Sequence, residues 1–288
     1  MIRRHLLLFL SAWLIVSCSR TEEVVIEGNQ APPDNTIENV ILENYINKLY
    51  ISLLGRKVNE LEYSSAYNLL EDADMSIESR EQLIDLIHAN PQFHVNEYEL
   101  ARADLLNGVD TNSINSQIDA INAFLTTLTD SAEIQIYENA RDDLLRLTTV
   151  PSDLDNEIIS MSDMHRFCVD NFAYDEINMG TENFIVSIYQ NFFYRYPTEE
   201  ELVEASKSVD GFQGIVFYQI LESKQEFIDA FVETEEYFEG QVRSLYLRYL
   251  FREPTAEEMT GLAYRYQNGE TYKNVQKSIL IIDEYVGL

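Results

Sequence analysis

Glycine and proline are scarce in this chain, which has 10 glycines and 6 prolines among 288 residues. Both residue types supply the turns that a β-sandwich needs every few residues, so their scarcity argues against such a fold. Apolar residues make up 45% of the chain, which is enough for a packed core and argues against disorder. No segment shows sustained apolar–polar alternation, so no strand is predicted. The predicted fold class is all-α, with long helices and short connections.

Basic residues are also few, with 20 Lys and Arg against 50 Asp and Glu and a formal net charge of −30. A field of this sign repels phosphate backbones and anionic lipid headgroups, so no nucleic-acid partner is expected. The acidic excess predicts a solvated surface. A docking face for a basic partner or for divalent cations is the alternative.

Sequence signatures of catalytic and metal sites are missing. No Cys-x-x-Cys-His sequence occurs, and no two histidines have the i,i+4 spacing of a helical zinc site. A Gly-x-Ser-x-Gly nucleophile elbow and a phosphate-binding glycine loop are absent too. Cys168, one of two cysteines, has no cationic cluster nearby that would activate it, so a buried, inert thiol is expected. We therefore predict no enzyme, no metal ligand and no cofactor.

The amino-terminal residues resemble a bacterial lipoprotein signal. Arg3 and Arg4 precede an apolar run over residues 6–16, which is too short to span hydrocarbon, and Ile15-Val16-Ser17-Cys18 ends it. Residues 1–17 are predicted to be a cleaved signal peptide, and Cys18 is predicted to carry a lipid anchor. Residues 18–36 form a tether in this interpretation. Ser19, in place of a retaining Asp, favours the outer membrane, on either its periplasmic or its surface face.

Apolar residues recur every three or four positions from Ile37 onward, which predicts amphipathic helices. Residues 37–149 are predicted to form an amino-terminal helical half, and residues 181–288 a carboxy-terminal one. Between them, residues 150–180 contain an acidic, turn-prone stretch around Pro151 and are interpreted as a connector.

One short motif occurs three times. Each copy has a tyrosine, two large apolar or aromatic residues three and four positions later, an arginine two positions further on, and then an acid. The tyrosine, arginine and acid are Tyr50, Arg56 and Glu62 in the first copy, Tyr189, Arg195 and Glu201 in the second, and Tyr246, Arg252 and Glu258 in the third. The copies begin 139 and 57 residues apart, so the chain is not a regular solenoid.

The motif predicts two helices joined by a tight turn. Pro197 and Pro254 cannot continue the first helix. The residues from Thr198 and from Thr255 match capping boxes that open the second helix, and those from Asn59 match a looser version. The arginine is expected in the last turn of the first helix, bonding free carbonyl groups and the acid of the next helix. A site for a ligand carboxylate or phosphate is the alternative.

The stretch Leu53-Leu54-Gly55-Arg56, with the Arg-x-Pro-Thr-x-x-Glu of the later copies, resembles the helical domain of planctomycete cytochrome-associated proteins of unknown function. Together with Ser223-x-x-Glu226-Phe227, the pattern is also similar to helical repeats of S-layer-associated and phycobilisome-linker type. The resemblance implies an α-helical assembly module and no catalytic residues.

Taken together, these features predict a non-catalytic, lipid-anchored structural or adaptor subunit of a bacterial cell-envelope assembly. Its expected partners are the membrane, through Cys18, and another envelope protein. The alternative is a surface glycan-binding lipoprotein, which would show two or three exposed tyrosines in one groove. Eighteen tyrosines are available for this, although most fall at helical core spacing.

Overall fold

The computed structural model describes residues 35–288, with side chains described from residue 39 onward. The predicted signal peptide, Cys18 and nearly all of the predicted tether lie outside this range. The described part of the chain is all-α, as predicted, apart from one short hairpin. Glu38–Leu288 form one compact unit. Within the described residues, no helix has the length and apolarity that a membrane crossing requires.

Six helices come from the predicted amino-terminal half, and the first starts two residues before the predicted position. They are α1 (Asn35–Leu54), α2 (Glu60–Glu71), α3 (Ile77–His88), α4 (Gln92–Leu105), α5 (Thr111–Leu125) and α6 (Ser131–Asp155). Helix α6 runs past the predicted boundary at residue 150 and contains Pro151. Because Leu147, Val150 and Leu154 are buried along this turn, packing outweighs the hydrogen bond that the proline cannot donate. Within the predicted turn-prone stretch, the turn therefore begins only at Asn156, where α6 ends.

The rest of the described chain alternates short and long helices around one hairpin. The elements are α7 (Met161–Val169), α8 (Phe172–Ile177), α9 (Thr181–Ile188), a π-helix (Tyr189–Phe193), α10 (Glu199–Val209), β1 (Gly214–Val216), β2 (Gln219–Leu221), α11 (Lys224–Phe231), α12 (Glu235–Leu250), α13 (Ala256–Gln267), α14 (Tyr272–Leu280) and α15 (Asp283–Val286). Helices α7 and α8 both lie within the predicted connector.

The hairpin of β1 and β2 departs from the prediction that no strand would form. Its strands pair antiparallel, with Ile215 opposite Ile220. The two turn residues, Phe217 and Tyr218, both have positive φ, near +52° and +62°. Positive φ at both central residues suits the right-handed twist of a two-residue hairpin. Three-residue strands are too short to show an alternating pattern, so hydropathy could not predict them.

Helices from both ends of the chain share one core. The Tyr45 hydroxyl of α1 donates to the Leu280 carbonyl at 3.2 Å. The Arg80 guanidinium of α3 donates at 2.8 Å to the Ile281 carbonyl and at 2.8 Å to the Asp283 carboxylate. These contacts place α1 and α3 against α14 and α15, and thus join the two predicted halves.

A buried polar network joins the same halves. The Glu97 carboxylate on α4 is 2% exposed. It accepts hydrogen bonds from the Tyr272 hydroxyl at 3.0 Å, the Gln276 amide at 2.9 Å and the Arg248 guanidinium at 3.1 Å. The Gln276 amide oxygen in turn lies 2.7 Å from His88 Nε2. Burial lowers the pKa of His88 to about 4, so the imidazole is neutral at pH 7.

Candidate docking site

The three motif copies have the same local geometry. In each, the arginine makes two hydrogen bonds to the carboxylate six residues later, at distances between 2.6 and 2.9 Å. The pairs are Arg56–Glu62, Arg195–Glu201 and Arg252–Glu258. Each arginine also donates at 3.1 Å to the carbonyl oxygen of the residue that follows it. We call each arginine–glutamate pair, with its stacked tyrosine, a clamp.

The tyrosine of each clamp lies under the guanidinium group. The arginine Cζ is 5.9 Å from the ring centre of Tyr50, 4.9 Å from that of Tyr189 and 5.1 Å from that of Tyr246. A cation held over an aromatic face is attracted by the ring quadrupole. The clamp therefore fixes the end of one helix to the start of the next.

The capping boxes at the start of the second helix of each motif are present in all three copies. Both hydrogen bonds of the capping box form at Asn59. Its backbone amide donates to the Glu62 carboxylate at 3.0 Å, and its side-chain oxygen accepts from the Glu62 backbone amide at 2.9 Å. The same glutamate side chain thus serves the arginine and the cap. Hydrogen bonding to arginine lowers the pKa of Glu201 and of Glu258 to about 2. Both carboxylates are ionised at neutral pH.

The arginines lie two residues beyond the first helix, and not in its last turn as predicted. The residue between helix end and arginine is left-handed in every copy: Gly55, Tyr194 and Phe251 have φ of +66°, +58° and +55°. This conformation ends the helix and turns the arginine toward the next one. Glycine adopts it without strain, whereas tyrosine and phenylalanine are held there by the surrounding contacts.

Two of the clamps hold a second carboxylate. Arg195 also bonds Glu236 in the first turn of α12, with one contact at 2.9 Å, and Arg252 bonds Glu284 of α15 at 2.8 Å. At the first clamp, the Asn96 amide of α4 donates instead to the carbonyl groups at the end of α1, at 3.1 Å. Each clamp therefore also seats a later helix. The clamps stay apart and do not form one ligand site.

A wide groove opens beside the second clamp. It has a volume of about 940 Å³ and runs between the start of α10, the hairpin and the start of α12. Among its lining residues the only cation is Arg195, which is already paired with Glu201 and Glu236. The lining glutamates are Glu200, Glu201, Glu233, Glu235, Glu236 and Glu239. Six carboxylates against one guanidinium leave the groove strongly anionic.

The crowding of these carboxylates affects the pKa of Glu239. Partial burial, followed by the repulsion of Glu235 and Glu236, raises the pKa of Glu239. A like charge close by disfavours the ionised form, and an added cation would relieve this repulsion. The groove is thus predisposed to bind positive groups.

The hairpin gives the groove an apolar wall. Tyr218 at its tip is fully exposed, and Ile215 and Ile220 are exposed on its strands, with Phe212 exposed just before it. Tyr218 and Ile215 also line the groove. The Ile215 amide donates to the Glu204 carboxylate at 2.9 Å, which fixes β1 against α10. Large apolar side chains gathered on one exposed element are typical of an interaction surface.

The floor of the groove contains a buried polar atom without a partner. Tyr189 is fully buried, and its hydroxyl makes no hydrogen bond. The neighbouring Glu201 carboxylate adds to the burial that raises the pKa of this hydroxyl. The hydroxyl is itself buried beside this carboxylate, so Tyr189 forms the floor of the groove and does not offer a binding group.

The hairpin distinguishes the second motif copy from the other two. Residues 210–223 separate α10 from α11, whereas residues 72–76 separate α2 from α3 and residues 268–271 separate α13 from α14. The clamp forms without such an insertion in copies one and three. The hairpin is therefore not needed to form the clamp, although its Val216 and Leu221 are buried in the core. Sequence reasoning missed the hairpin, because its six apolar or aromatic residues from Phe212 to Ile220 show no strand period.

Two further predictions concern the cysteine and metal binding. Cys168 is fully buried, and burial raises the pKa of its thiol to about 12, as expected of an inert cysteine. In the described part of the chain, no group of three or more His, Cys, Asp or Glu side chains is arranged to hold a metal ion.

The chain matches no protein-family model, and comparisons with curated protein sequences and with solved structures found no similar protein. The resemblance of the motif to helical assembly domains stays a prediction. What the hairpin groove can bind follows from its own geometry, which combines an anionic wall and an apolar wall.

Proposed function

We propose that this protein is a non-catalytic, lipid-anchored adaptor of a bacterial cell envelope. It docks a partner protein through the groove between the hairpin and α12. The occupant is a basic segment of that partner, carrying at least one large apolar side chain among its lysines or arginines. The observation that carries the proposal is the pairing of six groove glutamates with an exposed apolar hairpin.

The charges decide the chemistry of the occupant. Both phosphate groups and acidic peptides would be repelled by the groove and by the net charge of the chain. A basic segment would be attracted at long range and would relieve the repulsion around Glu239. The apolar residue of that segment would pack against Ile215 and Tyr218, whose area is now exposed to water.

A defined peptide pair tests the groove. We expect a fluorescent peptide of lysine and leucine to bind the protein, and its glutamate and leucine counterpart not to bind. Binding should weaken as salt is added, because the attraction is between exposed charges. The double variant Ile215→Ser with Tyr218→Ser should lose most of the affinity. The control Tyr264→Ser changes another exposed tyrosine, outside the groove, and should not.

Two results would overturn the docking proposal. One is equal binding of the two peptides, which would show that charge does not select the occupant. The other is unchanged binding by the Ile215→Ser, Tyr218→Ser protein, which would place the contact elsewhere. Crosslinking in native membranes from residue 218, followed by mass spectrometry, then identifies the natural partner. The crosslinked partner peptide should be basic.

The lipid anchor is tested separately. The lipobox ending at Cys18 supports it, and Cys18→Ala should leave the protein unprocessed or should release it from the membrane fraction. If the variant is still processed and still fractionates with membranes, the anchor is not at Cys18.

A further inference from the structure

A second, smaller cavity lies where α4, α7, the π-helix and α12 meet. Its volume is about 300 Å³. It is separate from the hairpin groove, since the two share no lining residue. A water molecule occupies about 30 Å³ in the liquid, so the cavity can hold a compact molecule of roughly ten to twelve non-hydrogen atoms. This volume is at the small end of the range for ligand pockets.

Several polar side chains line this cavity and have hydrogen-bonding groups that the protein does not use. Gln241 on α12 is only 7% exposed, yet its amide makes no side-chain hydrogen bond among the described residues. His165 on α7 is 9% exposed and uses only Nδ1, 2.8 Å from the Tyr237 hydroxyl. Ser244 lies one turn after Gln241 and also lines the space. These side chains line the cavity, so their unused donors and acceptors can hydrogen-bond to a polar molecule in it.

The π-helix is explained by the cavity and not by the clamp. The first and third clamps end regular α-helices, α1 and α12, whereas the second ends the five-residue π-helix. Since the same clamp forms without a π turn, the wider turn has another cause. It places Gln190, Asn191 and Phe192 in the wall of the cavity. π-helices are rare and are frequent at functional sites.

The charges around the cavity favour an uncharged occupant. Glu97 and Arg248 line it and are already paired with each other. Burial, followed by the nearby Arg248, lowers the pKa of His165 to about 3, so its ring is neutral at pH 7. Asp104, exposed at the edge, would repel an anion, and no unpaired carboxylate is buried among the lining residues to hold a cation.

The remaining groups fit a polyhydroxylated molecule. Amide side chains, the serine hydroxyl and a neutral imidazole can each donate or accept, as the hydroxyl groups of a sugar can. The exposed ring of Tyr194, with Met161, supplies apolar surface for the carbon–hydrogen face of a ring. We propose that this cavity binds a neutral sugar of monosaccharide size, either free or as the end of a glycan. This site does not depend on the proposed docking function.

Ligand-observed saturation-transfer NMR on the full chain tests the proposal. The probes are glucose, galactose, mannose and N-acetylglucosamine, with glucuronate and glucosamine as the charged counterparts. We expect at least one neutral sugar to bind, and to bind better than either charged sugar. Gln241→Met keeps the side-chain length and removes the amide, so it should weaken binding by about tenfold or more. The matched control Gln135→Met, on the exposed face of α6, should leave binding unchanged.

Ser244→Leu is a second variant, which fills the cavity from the half-buried part of α12 and should also abolish the signal. Circular dichroism and thermal unfolding establish that each variant is folded. Three outcomes would overturn the proposal. These are no transfer to any neutral sugar, stronger binding of glucuronate or glucosamine, and undiminished binding by the folded Gln241→Met and Ser244→Leu proteins.

Discussion

Replacement of Glu97 by glutamine should destabilise this protein far more than the same change two residues later. The Glu97 carboxylate is 2% exposed and accepts three hydrogen bonds. Glutamine has one acceptor oxygen and adds an NH₂ group, which would face the donors of Tyr272 or Gln276. The change also leaves the Arg248 guanidinium without its counter-charge. Glu97→Gln therefore removes one charge and mismatches one or two hydrogen bonds.

The magnitude follows from how buried the pair is. Removing one partner of a fully buried ion pair costs about 3–5 kcal/mol. The Arg248 side chain is 27% exposed, so water can solvate part of the orphaned charge. We therefore expect the lower end, about 3 kcal/mol of unfolding free energy. A loss of this size is readily measured against the ~5–15 kcal/mol of a typical protein.

Chemical denaturation at neutral pH measures the effect, with Glu99→Gln on the same helix as the control. The Glu99 side chain is 61% exposed, and its partner Arg102, which is 7% exposed, keeps its hydrogen bonds to the Val109 carbonyl and the Thr111 hydroxyl, so the loss of Glu99 should cost only about 1 kcal/mol. A double-mutant cycle with Arg248→Met should give a coupling of about 2 kcal/mol between positions 97 and 248. A Glu97→Gln protein within about 1 kcal/mol of the wild type would refute the reasoning.

Three further predictions concern other parts of the molecule. The pKa values of Glu201 and Glu258 are depressed from about 4.5 to about 2, so the stability that each contributes is complete above about pH 4.5 and is lost as the pH falls toward 2. After allowance for solvent screening, protonation of each glutamate should lower the unfolding free energy by about 1–2 kcal/mol. The Glu258→Gln protein lacks the Glu258 contribution, so its unfolding free energy should fall less steeply as the pH is lowered. Gly240→Ala should destabilise by about 3 kcal/mol or more, since its Cβ would lie 1.7 Å from a π-helix carbonyl oxygen, whereas Gly261→Ala, with open space around it, should stabilise by about 0.5–1 kcal/mol. Cys168 should react with a thiol reagent only when the protein unfolds, and fast labelling of the native state would contradict its burial.

The parts of the structure that could be predicted from the sequence are local ones. An arginine, a break and a capping box lie within about ten residues of one another, so their types and spacing specify how they pair. The left-handed residue before each arginine could not be predicted for Tyr194 or Phe251. Neither residue favours that conformation by itself, and it is imposed by packing around the clamp.

The groove and the cavity could not be predicted from the sequence for a different reason. The groove depends on a hairpin of two three-residue strands, and the cavity depends on four elements that are distant in sequence. Glu236 shows the difficulty well. It is one of 50 acidic residues, and nothing in its neighbourhood indicates that it bonds Arg195, 41 residues earlier. Only the tertiary structure shows which carboxylates pair with the clamp arginines.

Helix α12 contributes a residue to one clamp at each of its ends. Its first turn supplies Glu236 to the second clamp, and its last turns supply Tyr246 to the third. The motif copies are therefore not separable modules, and no cut between residues 198 and 258 would leave two intact ones. A partner that pulls on the groove near Glu236 also pulls on the third clamp, 16 residues along one rigid rod of about 24 Å. Force applied at the docking face would thus be shared with the carboxy-terminal helices and, through Tyr45 and Arg80, with the helices nearest the membrane tether proposed above.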